Sequence, residues 1–436
     1  MDPRGKRGVG AWRPPAVVLF VAVGLVMFVA AGPQAAWAAD GVEPIGISMP
    51  AQARGGADVA VGDTALSQID NPATLSLQPA EHIRFDVTGE LFMPRTRWTN
   101  PINDTRSNVR HIPIGHAGLS FRRTGPITFG VAFESKAQFA SRFRIRPWLL
   151  SARRRTIDAD MREFSLSFNA AWAATEKLSI GAGVRVEGAT SSFKTINGPV
   201  WADFGRGRAI GAGFQLGVHY RLLDTVAVGL AYRSPTWFQD LTGDDSTATL
   251  AGESRGATLA FLPINLGTGT IDNVRLPQRL AAGVAWEATE WLLLVTEARW
   301  INYSASTLNE GTFRFAGPIE WHVDSPVGYR DQWAVMAGAE FKLDEHWRLG
   351  TGYHYATNPV HRSELVPTAA MIAQHHATIG LRYEAERWWA GIGYVLGFHN
   401  DLSSTWRSGV PLGLDFSRGE IHQTQHSVVV GFGLSW

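Results

Sequence analysis

Apolar and polar positions alternate with a period of two along most of this chain. In 423–436, His426, Val428, Val430, Phe432, Leu434 and Trp436 make a mostly apolar face. Between them, Gln425, Ser427, Val429, Gly431, Gly433 and Ser435 make one that is mostly small or polar. The same texture recurs where Ala377, Ile379, Leu381 and Tyr383 alternate with Thr378, Gly380, Arg382 and Glu384, and where Ile180, Ala182, Val184 and Val186 alternate with Gly181, Gly183, Arg185 and Glu187. Successive side chains of a strand point to opposite faces, so each segment predicts a strand with an apolar and a polar side.

Such segments cover 81–93, 109–123, 126–139, 158–172, 177–190, 208–221, 224–236, 277–289, 291–304, 330–343, 346–357, 374–385, 387–399 and 423–436. That gives about fourteen strands, an even number that leaves both ends on one side of a barrel. Tight turns at Arg123–Pro126, Trp172–Lys177, Tyr220–Thr225, Ala288–Leu292, Lys342–Trp347 and Tyr383–Trp388 alternate with long polar stretches at 94–108, 140–157, 191–207, 237–276, 305–329, 358–373 and 400–422. Short turns on one side and long loops on the other are the asymmetry of an outer-membrane barrel. A soluble sandwich alternates as well, but carries its charges on the outer face. The fold expected is therefore all-β, a 14-stranded antiparallel transmembrane β-barrel with polar stretches 94–108 through 400–422 as loops.

Composition agrees with a lipid-facing surface. Charged residues are 18%, aromatics 11% with 17 Trp, and Gly numbers 46. A net charge of +1 gives no support for a nucleic-acid partner, and the absence of cysteine excludes disulfides, thiol catalysis and Cys-based metal centres.

The first 38 residues read as a cleaved signal peptide: basic Arg4, Lys6, Arg7 and Arg13, an apolar run from Ala16 to Ala31, then Ala36-Trp37-Ala38. That run falls short of the roughly 20 residues a spanning helix needs, which argues against the alternative of a membrane anchor. Residues 39–80 are rich in small residues and lack sustained alternation; they read as a compact element inside the lumen or as a disordered leader. The barrel occupies 81–436. A terminal Trp436 on an apolar-faced strand is similar to the signal read by the barrel assembly machinery.

The stretch Ala53–Ala65 with Asp63, then Asn71-Pro72-Ala73, together with Leu276-Pro277 before Ala282–Trp286, Tyr329–Trp333, Trp347–Tyr353 and Asn358-Pro359-Val360, resembles the FadL/TodX family of outer-membrane transporters. The resemblance implies a lumenal hatch over 39–80, with Asn71, Pro72 and Ala73 near a kink in the third strand. It further implies capture of a long-chain fatty acid or other hydrophobic compound by outer loops, and lateral release into the membrane. An aqueous porin and a barrel enzyme are the competing readings.

By strand parity Arg185, Arg279, Arg348 and Arg382 point inward. Each either anchors a ligand carboxylate or pairs with lumenal acids such as Glu187, Glu287, Glu340 and Glu384. Arg142, Arg144, Arg146, Arg153, Arg154 and Arg155 in an outer loop read as a lipopolysaccharide-phosphate contact or as solvated surface. Adjacent His375 and His376 face opposite ways and cannot readily share an ion, so neither metal nor cofactor is expected. No Gly-x-Ser-x-Gly or His-Glu-x-x-His motif points to catalysis.

Overall fold

The computed structural model describes residues 40–148, 154–197, 200–254, 257–316, 320–410 and 414–436. The expected signal peptide, 1–38, and Arg153 lie outside the described residues.

Fourteen strands close on themselves. They are β1 His82–Asn100, β2 Ile112–Arg122, β3 Ile127–Ile145, β4 Arg155–Ala173, β5 Leu178–Asn197, β6 Val200–Leu223, β7 Val226–Arg233, β8 Arg279–Thr289, β9 Leu292–Ile301, β10 Gln332–Lys342, β11 Trp347–Ala356, β12 His375–Glu384, β13 Trp388–Ser403 and β14 Glu420–Ser435. Each pairs antiparallel with its neighbours in sequence, and β1 pairs with β14 from Arg84↔Ser435 to Thr99↔Glu420, which closes the circuit. Closure leaves no edge strand, as a lipid-exposed sheet requires.

The surface is inverted relative to a water-soluble protein. Val184, Val186, Ile210, Phe129, Phe168 and Ile392 stand exposed on the outer wall, whereas Arg185, Arg299 and Glu187 are buried within. Exposed Trp172, Trp291, Trp347, Trp388 and Trp436 ring the end that carries the short turns and form an interfacial aromatic girdle.

At the opposite end the strands run further than the alternation predicts. A strand needs about 9–11 residues to span the hydrocarbon, yet β3 and β4 have 19 each and β5 and β6 have 20 and 24. Much of 140–157 and 191–207, expected as loop, is thus strand. The expected loop 237–276 also folds: Leu241–Ser254 pairs with Ala257–Ile271, and the hairpin Glu310–Ala316/Glu320–Pro326 adds to its end. Beyond the membrane no lipid enforces an apolar face, so these strands lack the pattern that reveals the others. Loop residues Tyr303, Tyr329, Leu365 and Phe416 then fill the mouth with an apolar cluster around Trp98 and Phe143.

Candidate functional site

The segment before β1 is buried almost throughout between Asp40 and Ser76. It holds a short helix, α1 Met49–Ala53, capped by Ser48, whose side chain accepts from the Ala51 amide at 3.1 Å. Two 3-10 turns follow, Ala65–Ile69 and Pro72–Leu77. Its backbone approaches the inner wall where the wall has no side chains. A Cβ on Gly229 of β7 would lie 2.0 Å from Val59 O, one on Gly338 of β10 2.3 Å from Arg54 O, and one on Gly181 of β5 2.3 Å from Ala73 N. The small inward residues of the alternation are thus the space this segment occupies.

Buried ion pairs tie the segment down. Arg54, fully buried, reaches Asp58 at 3.2 Å, Asp63 at 2.8 Å and Glu340 of β10 at 2.8 Å. Arg299 of β9 pairs with Asp40 at 3.1 Å and donates to Gly56 O at 2.7 Å, while neighbouring Glu297 accepts from the Asp58 and Val59 amides at 2.8 and 2.9 Å. Burial, reinforced by the nearby Asp63 charge, pushes the Asp58 carboxyl up to about 8 against the pull of Arg54. Asp63 is held well below the usual carboxylate range, because Arg54 and Arg382 outweigh the cost of its burial.

The four arginines singled out by parity all meet acids. Arg185 pairs with Glu187 at 2.6 Å. Arg279 spans to Glu43 at 3.3 Å and Asp70 at 2.9 Å, both in the N-terminal segment. Arg382 reaches Asp63, Glu340 and Glu384, each at 3.0 Å, and Arg348 also pairs with Glu384. Arg279 and Arg382 therefore belong with Arg54 and Arg299 in the seating of residues 40–77.

Asn71, Pro72 and Ala73 sit elsewhere than the resemblance implies. Asn71 Nδ2 donates to Val59 O at 2.7 Å and to Val218 O of β6 at 3.0 Å, and its Oδ1 accepts from the Ala73 amide at 3.0 Å. The tripeptide packs on Gly181 and Gly217, in the half of the barrel near the short turns. Across the sheet that level corresponds to Ala171 and Thr128.

The third strand does kink, higher up. Its alternation breaks from Glu134 to Phe139, where six successive residues are buried, and its register against β4 shifts between Ser135 and Ala137. Such a bulge bends its strand and re-aims side chains. From Thr128 to Ser135 is roughly 20 Å along the strand, so Asn71-Pro72-Ala73 does not touch the kink. A buried charge cluster pins it instead. Lys136 Nζ donates to Glu163 of β4 at 2.9 Å, Glu187 of β5 at 3.0 Å and Thr236 at 2.9 Å, and Glu134 pairs with Arg233 of β7 at 2.7 Å. Glu134 and Lys136, with no apolar residue at 135, are the sequence signal for this inward turn; parity applied to an unbroken strand passes over it.

The kink parts two strands. The β2–β3 ladder runs from Arg122↔Thr128 only to His116↔Glu134, while Ile112–Gly115 remain paired with β1 and β3 continues against β4. Behind the parting lies a cavity of about 50 Å³, reached by Ile114 of β2, Ser135 and Gln138 of β3, and Val42 and Ile45 of the N-terminal segment. A second, of about 10 Å³, shares Phe92, Gln138 and Met371 with it and continues to Pro367 and Ala370 of an outer loop. Among the described residues neither is lined by Lys or Arg; the ionisable groups at the first are Glu43, Glu90, His376 and His426, and Glu90 accepts from Gln52 at 2.9 Å and Ser427 at 2.5 Å.

The whole architecture recurs in solved structures. The toluene transporter TodX of Pseudomonas putida superposes with a TM-score of 0.75 at 17% identity, over 90% of this chain and 99% of that one. The toluene transporter TbuX of Ralstonia pickettii gives 0.71 at 18%, over 89% and 98%. A FadL homologue of Pseudomonas aeruginosa gives 0.68 at 14%, over 92% and 99%. No curated protein matches the chain in sequence. Residues 27–388 match the family described as outer membrane protein transport protein (OMPP1/FadL/TodX). That match covers most of the sequence, and the chain belongs to this family of Gram-negative outer-membrane transporters of hydrophobic compounds.

Proposed function

We propose that this transporter takes up neutral hydrophobic compounds, passing them from the outer loops through the two joined cavities and out sideways between β2 and β3. The observation that carries this reading is the lining of the path. Apolar Phe92, Ile114, Val42 and Val395 lie among Gln138, Gln425, His376 and His426, and no Lys or Arg lines the space that Glu90 faces. A fatty-acid carboxylate there would be desolvated next to an acid, a cost that only a paired cation offsets. An aromatic or aliphatic hydrocarbon gains from leaving water at every step and reaches the bilayer interior without crossing an aqueous lumen. TodX and TbuX are described as toluene transporters, which favours the same class.

Residues 40–77 serve as the hatch that closes the periplasmic half of the lumen, with Asn71-Pro72-Ala73 as its wedge and Arg279 and Arg382 as its latches. Exposed Arg142, Arg144 and Arg146 face lipopolysaccharide phosphates. Uptake of labelled toluene, hexadecane and palmitate by cells with and without the protein tests the cargo. Faster entry of the first two with palmitate unchanged is expected; acceleration of palmitate alone would overturn the reading.

A further inference from the structure

We propose that His399 and Asp401 of β13 and His422 of β14 form an outward-facing site for a divalent transition-metal ion, the borderline class that Zn2+ represents. The backbone sets the group up. The β13–β14 register shifts between Gly397 and Asn400, so Phe398 and His399 share one position on the partner strand. The bulge turns His399 to the outside, onto the face of Asp401, and Asp401 lies directly across from His422.

Three ligand atoms converge. Asp401 Oδ1 is 3.0 Å from His399 Nε2 and 2.6 Å from His422 Nδ1, and the set lies within 4.8 Å. The two rings are nearly parallel, 9° apart, with centroids separated by 6.3 Å. An ion at about 2.0–2.2 Å from each atom needs only small rotations of exposed side chains. Its entry replaces the hydrogen bonds to Asp401: each neutral ring carries its proton on the nitrogen that faces Thr424 or Thr99, and a ring that starts as imidazolium releases one proton to solvent.

The outer shell is in place as well. The remaining ring nitrogen of His399 contacts Thr424 Oγ1 at 3.2 Å, and that of His422 contacts Thr99 Oγ1 at 3.2 Å with Glu420 at 3.7 Å. Such partners fix the ring and its tautomer so that the other nitrogen presents its lone pair to the metal. Two imidazoles and one carboxylate suit zinc, copper or nickel better than magnesium or calcium, which prefer all-oxygen shells. The open outward side leaves a position for water. A bound ion would staple β13 to β14 across the bulge, beside the β14–β1 seam that closes the barrel.

The test uses the full, untagged protein in detergent, stripped of metal with a chelator and titrated calorimetrically with ZnCl2. One ion per barrel is expected, with a Zn2+-dependent rise in melting temperature. Loss of an outer-shell partner alone costs about 10–100-fold in affinity, so H399N/H422N should weaken binding at least tenfold. Asp401→Asn should do the same, and His322→Asn should leave binding unchanged. No binding by the wild type up to about 1 mM, or a weakening of less than tenfold in both H399N/H422N and Asp401→Asn, would overturn the site and leave a hydrogen-bonded His–Asp–His cluster.

Discussion

Gly217 of β6 and Asn71 of the lumenal segment interlock, with a Cβ on Gly217 falling 2.0 Å from Asn71 Oδ1. One strand over, a Cβ on Gly181 would meet the Ala73 amide nitrogen at 2.3 Å, a backbone atom that cannot rotate away. The wall is therefore notched to the shape of Asn71-Pro72-Ala73. Gly181→Val should displace this wedge at an overpacking cost of about 1–3 kcal/mol while the outward face of β5 stays intact. The expected outcome is a barrel that still resists unfolding in SDS at room temperature but conducts more ions in planar bilayers. Asn71→Ala, which strands the Val59 and Val218 carbonyls, should act in the same direction. Wild-type conductance in both variants would show that the wedge does not hold the segment.

Lys136 meets Glu163 and Glu187 with almost no access to water. Replacing it with Met keeps the bulk and removes the charge, leaving two carboxylates close together without their shared cation. Breaking a buried pair this way costs about 3–5 kcal/mol. Because Lys136 stands in the kink, the loss should appear both as a lower urea midpoint and as altered uptake. A K136M/E163Q double variant should recover most of the stability, since Glu187 keeps Arg185 and no uncompensated charge then remains. If it recovers uptake too, the cluster's charge is dispensable and only its neutrality matters.

The barrel was legible because lipid imposes one rule on every crossing, and Val184, Ile379 and Val430 obey it residue by residue. The reach of β3–β6 past the membrane was hidden, since Arg142, Arg144 and Asp158 stand on the outer ends of strands, where no lipid touches them. Parity placed Arg185, Arg279, Arg348 and Arg382 on the inner wall, but could not name partners such as Glu43 and Asp70, more than 200 positions away from Arg279. Arg54 and Asp40, at the centre of the seating network, carry no periodic signal at all, and Arg299, though on an alternating strand, shows nothing in sequence of its partner Asp40. The kink was masked for another reason: its bulge shifts parity within β3, so counting on past Lys136 assigns Ala137, Phe143 and Ile145 to the wrong face. The His399–Asp401–His422 group depends on a second bulge and escaped notice in the same way.

Asp58 gives the seating a pH dependence. A carboxyl whose pKa rises on folding, here to about 8, holds its proton more tightly when seated than when released. Its contribution is complete below the ordinary aspartate value of about 3.9, declines as pH rises and is lost through pH 8. Asp63 works the other way, with a contribution present above the ordinary value and withdrawn only in strong acid. Between pH 6 and 9 Asp58 therefore decides the trend. Protease access to residues 40–77 in detergent-solubilised protein should increase over that interval and stay flat in Asp58→Asn. An equal increase in the variant would assign the change to another group.

The proposed preference for uncharged cargo turns on Glu90. Its carboxylate is held by Gln52 and Ser427 at the cavity wall, close to Phe92 and Val395, so an incoming carboxylate meets like charge in a poorly solvated space. Opposite charges at short range in such surroundings interact by several kcal/mol at an effective dielectric near 20, and like charges repel by as much. Glu90→Gln removes the repulsion, still accepts from Gln52 through its amide oxygen, and can donate to the Ser427 hydroxyl in place of accepting from it. It should leave toluene uptake within about twofold and raise palmitate binding, since only a charged ligand senses the change. Glu90→Lys goes further and supplies the missing cation, so palmitate should bind at least tenfold more tightly than to the wild type, about 1.4 kcal/mol. Palmitate binding that ignores both substitutions would mean that the fatty acid, if it binds at all, does so away from this cavity, and that Glu90 discriminates nothing.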